Sequence, residues 1–153
     1  MGKENNTFKW IGIYEVVSGM FGILLIIYAI LVTTEIVEKN IVLMAVIGFL
    51  FYTLNVVAGV FLYQKNRIGV YLSIFVQILQ LFSFSTETIK YTFCSGSFFG
   101  YGINNGTFTL KVEIFYVEYL LTFSNNMSPY FLVNFIPLIF LVLLIIKNSQ
   151  NNK

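Results

Sequence analysis

One carboxyl stands inside an apolar run. Glu15 lies between Trp10 and Val32, a stretch made mostly of Ile, Leu, Val, Phe, Met, Ala and Gly. Two later apolar runs carry amides in similar isolation, Asn55 in one and Gln77 and Gln80 in the other. A carboxyl and three amides gathered away from water can hold a proton or a Na⁺-like cation, since both are served by oxygen donors. The same groups can also act as hydrogen-bonding glue between apolar helices, worth about 0.6–2 kcal/mol each. Glue is the simpler role. Glu15, Asn55, Gln77 and Gln80 are the candidate polar intramembrane cluster under either reading.

Most other chemistry is excluded by what the chain lacks. Its 153 residues include no His and a single Cys, and its seven acidic residues are all Glu. Ser-His-Asp and Cys-His catalysis, aspartyl dyads and His- or Cys-built zinc sites are therefore ruled out. Cys94 has neither a second Cys nor a His to activate it and reads as an incidental thiol. No catalytic residue and no metal ligand is assigned, no cofactor is expected, and the chain is read as non-enzymatic.

The elements that must position the cluster follow from composition and spacing. The chain is 58% hydrophobic and 10% charged, with a mean hydropathy of +0.81. Ordinary soluble domains are about 45–50% apolar and about 25% charged. A helix crosses the hydrocarbon of a bilayer with about 20 residues. Four spans are expected on this basis: TM1 over 10–32, TM2 over 41–63, TM3 over 68–85 and TM4 over 129–146. In steps of three and four, TM1 places Gly12, Glu15, Gly19, Gly22, Ile26 and Ala29 on one stripe. TM2 does the same with Ala45, Gly48, Tyr52, Asn55 and Gly59, and TM3 with Gly69, Ser73, Gln77 and Gln80. Lipid-facing surfaces have no use for such residues, so the three stripes should meet, with Gly12, Gly19, Gly22, Gly48 and Gly59 as helix-packing positions. Pro129 suits the first turn of TM4, and Pro137 should kink its interior.

Between TM3 and TM4 the period changes. Asn105-Gly106 is a hairpin turn signal, and Thr107–Ile114 alternates polar and apolar at the strand repeat. Segment 86–128 is therefore expected to be a β-rich cap outside the bilayer. The expected fold class is an all-α membrane protein, a four-transmembrane-helix bundle with a small extracytoplasmic β-hairpin cap between helices 3 and 4, all in one domain, 1–153.

The basic residues set the orientation. Lys3, Lys9, Lys65, Arg67, Lys147 and Lys153 fall on one side, and Lys39, Lys90 and Lys111 on the other. The fuller side should be cytoplasmic, which puts both termini inside. Heavy use of Asn, Ile, Lys, Phe and Tyr fits an AT-rich genome and hence a bacterium, so the membrane is expected to be a bacterial inner membrane. A net charge of +2, with no basic stripe, offers nothing to nucleic acid. The expected partners are the lipid bilayer, a protein meeting segment 86–128, and further copies of the chain as a homo-oligomer. The function that fits is an interaction or accessory subunit. The alternative is a small oligomeric proton- or cation-coupled transporter or channel using Glu15.

Overall fold

A computed structural model describes residues 6–32, 39–123, 125 and 127–151. Lys3, Lys153, Asn126 and the connection 33–38, with Glu35 and Glu38, lie outside the described residues. The elements run α1 (Asn6–Val32), α2 (Lys39–Tyr63), α3 (Arg67–Leu81), β1 (Phe82–Ser85), β2 (Ile89–Asn104), β3 (Thr107–Phe123), β4 (Tyr130–Asn134) and α4 (Phe135–Asn151).

This is a mixed α/β fold, and it overturns the all-α four-transmembrane-helix bundle. A four-stranded antiparallel sheet takes in the ends of two expected spans. The reason is local. Phe82-Ser83-Phe84-Ser85 alternates apolar and polar at the strand period, and Tyr130-Phe131-Leu132-Val133 is aromatic and aliphatic. A hydropathy count does not distinguish such residues from helix. TM3 thus stops as a helix at Leu81, and TM4 begins only at Phe135. What remains is 15 residues in α3 and 17 in α4. At 1.5 Å per residue both fall short of the ~30 Å of a hydrocarbon core. Among the described residues only α1 and α2 are long and apolar enough to cross a membrane, so the reading of an integral membrane protein with four spans is withdrawn.

Pro137 moves with this boundary. It occupies the first turn of α4, where a missing N–H costs nothing, and the expected interior kink has no place. Asn134 serves that helix start, its Oδ1 accepting from the Ile136 N–H at 3.2 Å.

The hairpin forms where the alternation and the turn predict it. Asn104 pairs with Thr107 across Asn105-Gly106, whose φ angles of 48° and 79° both lie in the left-handed region that such turns require. The strand order is β1-β4-β2-β3, and β1 also pairs with β2. β2 meets β1 near its start, at Tyr91 and Lys90, and β4 near its end, from Gly100 to Asn104. Since β1 and β4 pair with each other, the ribbon curls round a lumen. A bulge between Gly96 and Phe98 supplies the bend.

The curled sheet is apolar outside and polar inside. Phe108, Leu110, Val112 and Ile114 point outwards and are exposed, next to exposed Phe99, Tyr101 and Ile103 of β2 and Phe131 of β4. Ser83, Lys90, Thr92, Lys111, Tyr116, Glu118 and Tyr130 face the lumen. Nor is the sheet a cap beyond the helix ends. It lies along their flank, with Phe93 packed on Tyr52 midway along α2, and Tyr119 on Phe51.

The helices α1 and α2 are antiparallel and very close. A Cβ on Gly12 would lie 2.7 Å from the Gly59 carbonyl oxygen, and one on Gly19 would lie 2.9 Å from that of Tyr52. Gly22 faces the Tyr52 ring, and Gly48 faces the Tyr119 ring on β3. Phe8, Ile11, Leu62, Val70 and Leu144 form a core at one end. Lys9, Lys65, Arg67 and Lys147 stand beside that core in sequence, so four basic residues gather at one end of the molecule.

Candidate functional site

The three polar stripes converge on one buried cluster. Glu15, Asn55, Gln77 and Gln80 are all buried, the first two with no exposed surface. Ser73 Oγ donates to Glu15 Oε2 at 2.7 Å, and Gln77 Nε2 donates to Glu15 Oε1 at 2.8 Å. Both donors lie on α3, four residues apart, so one helix face serves both carboxyl oxygens. α1 can approach α2 this closely because Gly12, Gly19 and Gly22 share the stripe with Glu15.

Asn55 joins three elements. Its Nδ2 donates to the Glu15 carbonyl at 3.2 Å, to Ser18 Oγ at 3.3 Å and to Ser95 Oγ at 2.7 Å. Gln80 does not touch Glu15. Its Oε1 accepts from the Ser95 N–H at 3.1 Å and so ties α3 to β2. Two tyrosines complete the seam. Tyr52 OH donates to the Cys94 carbonyl at 3.3 Å, and Tyr14 OH accepts from the Ser97 N–H at 2.9 Å. Gly96 lets the Tyr14 hydroxyl in, since a Cβ there would collide with it and the backbone φ is +115°.

The cluster has one spare acceptor. Asn55 Oδ1 is buried with no hydrogen-bond partner. Burying an amide oxygen unpaired is costly, so the site has capacity for one more donor or a small cation. No group of three or more His, Cys, Asp or Glu that could hold a metal ion occurs among the described residues.

Ser18, Ser73 and Ser95 were not picked out as site residues by the sequence. Ser73 stands on the α3 stripe and could have been chosen by spacing alone. Ser18 is three residues from Glu15 and bonds its carbonyl at 3.3 Å. Ser95 gave no signal, because its segment was expected to lie outside the bilayer and away from Asn55.

A second polar group fills the sheet lumen, around a cavity of about 280 Å³. Ser83 and Thr92 hydroxyls are 2.7 Å apart, and Thr92 is 3.0 Å from Tyr130 OH. Lys111 donates to Tyr116 OH at 3.1 Å and pairs with Glu113 Oε1 at 3.4 Å, while Tyr116 OH donates to Glu118. Cys94 is fully buried beside this lumen, with no second thiol to pair with, and burial keeps it unreactive.

Comparison of the chain with family models, with curated proteins and with solved structures gives no match.

Proposed function

We propose that the protein is a non-enzymatic accessory subunit held in a membrane by the α1–α2 hairpin. The single observation that carries this is the distribution of polarity. Both layers turn their apolar residues outwards and their polar residues inwards. Leu24, Leu31, Leu43 and Leu50 on the helices and Phe108 and Ile114 on the sheet are more than half exposed, while Glu15, Asn55 and Gln77 are sealed inside. Exposed apolar surface on this scale marks a lipid or protein contact. A sheet with an apolar outer face and a polar lumen has the pattern of strands that meet lipid.

In this reading the polar cluster is structural. Glu15, Ser73, Gln77, Asn55 and Ser95 fix α1, α2, α3 and β2 in one arrangement, and the outer face of the sheet presents a surface to a protein partner. The basic end, with Lys9, Lys65, Arg67 and Lys147, lies on the cytoplasmic side, so both termini are inside a bacterial inner membrane. The test is fractionation. The protein should stay with membranes through high salt and alkaline carbonate and leave only in detergent. Recovery as a monodisperse species without detergent would overturn the proposal.

A second reading has one observation in its favour, the unpartnered Asn55 Oδ1 beside Glu15. That oxygen and the carboxyl could bind a proton or Na⁺ in a small coupled carrier. Proton or cation flux in proteoliposomes, lost in Glu15→Gln, would favour it. No flux under any imposed gradient would remove it.

A further inference from the structure

Among the described residues the sheet has one free edge. β1 and β4 pair with each other and with β2, while β3 ends the order and pairs only with β2. Its outer half, Thr107–Ile114, meets no other strand among the described residues. In water a long edge lined with apolar side chains invites pairing with another chain. In hydrocarbon its unpaired N–H and C=O groups are untenable. Either environment asks for a strand on this edge, so the inference does not rest on the membrane reading.

We infer that the missing strand is β3 of a second copy, paired antiparallel about a two-fold axis at Val112. The sequence of the edge is complementary to itself in that register. Lys111 falls opposite Glu113 of the second copy, and Glu113 opposite its Lys111. Leu110 falls opposite Ile114. A shift of one residue to either side brings like charges together or leaves the charges opposite apolar side chains.

The hydrogen-bonding alternation agrees. In a two-residue hairpin the pair flanking the turn, here Asn104 and Thr107, exchanges both backbone bonds. Counting by twos, Thr107, Thr109, Lys111 and Glu113 turn their backbone groups to β2. Phe108, Leu110, Val112 and Ile114 turn theirs outwards, so Val112 can exchange both bonds with its own copy. Lys111 and Glu113 then form the pair type with side chains closest. Glu113 also has an unsatisfied group. Its Oε1 pairs with Lys111 in the same strand at 3.4 Å, but its Oε2 is occluded with no hydrogen-bond partner. A turn of the carboxyl about its last bond would present this oxygen to Lys111 of the second copy. The left-handed Phe115, at φ 57°, ends the regular edge and limits the pairing to the outer half of β3.

The test uses charge exchange between copies. Two differently tagged full-length chains are co-expressed, purified in mild detergent and scored for co-purification and cross-linked mass. Wild type should pair with wild type. Lys111→Glu and Glu113→Lys should each weaken self-pairing at least about tenfold, since each opposes like charges twice per dimer. Lys111→Glu mixed with Glu113→Lys should restore pairing, because one strand is then all acid and the other all base. Neither variant regains its internal ion pair in the mixture, so rescue can come only from across the edge. The internal pair is partly exposed and worth little, so both variants should fold. If either does not, Val112→Pro carries the test, since it removes an outward N–H from the edge. A monomeric wild type, single variants that pair as wild type does, a mixture of folded variants that fails to pair, or a Val112→Pro protein that still pairs would each overturn the inference.

Discussion

Replacing Glu15 in two ways separates its oxygen atoms from its charge. Glu15→Ala removes the acceptor of Ser73 Oγ and of Gln77 Nε2, which stand 2.7 and 2.8 Å away. Both donors are buried, so each stays unsatisfied at a cost of about 1–3 kcal/mol. The lost side chain also leaves a void, since Glu15 has no exposed surface. The expected loss is about 3–5 kcal/mol, the range of severe core truncations. Glu15→Gln keeps one oxygen for Gln77, and the Ser73 hydroxyl can rotate to accept from the new amide. Its expected loss is within about 1 kcal/mol. Reversible unfolding of the purified protein in mixed detergent micelles reads both. If Gln is as damaging as Ala, the partners hold a charge that a neutral amide cannot replace, and the structural role of the cluster is refuted. If Ala costs under about 1 kcal/mol, the packing round Glu15 is not as described.

Other consequences follow from single contacts. Gly59→Leu should prevent close association of α1 with α2, because a Cβ there already falls 2.6 Å from the Gly12 carbonyl oxygen; loss of a folded species in detergent checks this, and a stable variant would contradict it. Cys94 should resist maleimide from either side of the membrane until the protein is unfolded, since it is fully buried. Gly106→Ala should cost about 1 kcal/mol through its left-handed φ of 79°, with no steric clash, as read by thermal unfolding.

Much of the polar cluster was legible because helical spacing is a strong signal. Glu15, Asn55, Gln77 and the five glycines sit on stripes that converge as the three-four rule requires. Gln80 was found by the same rule but serves another partner, the Ser95 N–H, which spacing along one helix cannot show. The hairpin was legible too, from Asn105-Gly106 and the alternation after it. The fold class was not. Phe82–Ser85 and Tyr130–Asn134 carry enough aromatic and aliphatic side chains to continue the apolar runs they adjoin, and hydropathy cannot tell a strand from a helix in such short runs. The alternation in Phe82-Ser83-Phe84-Ser85 was present but spans only four residues. The position of the sheet was missed for a further reason. A polar/apolar alternation says that two faces differ, but not which one meets the protein, and here the apolar face is the exposed one.

The claim that the apolar exterior lies in lipid is tested most directly by spin labels at Leu24 and Val46, placed one at a time in a Cys94→Ala background. Both positions are exposed on the outer faces of α1 and α2. A label at Gln64, in the turn after α2, serves as the aqueous reference. In nanodiscs, Leu24 and Val46 should collide freely with oxygen and be shielded from a water-soluble nickel complex, while Gln64 shows the reverse. Nickel access at Leu24 and Val46 equal to that at Gln64 would contradict the account.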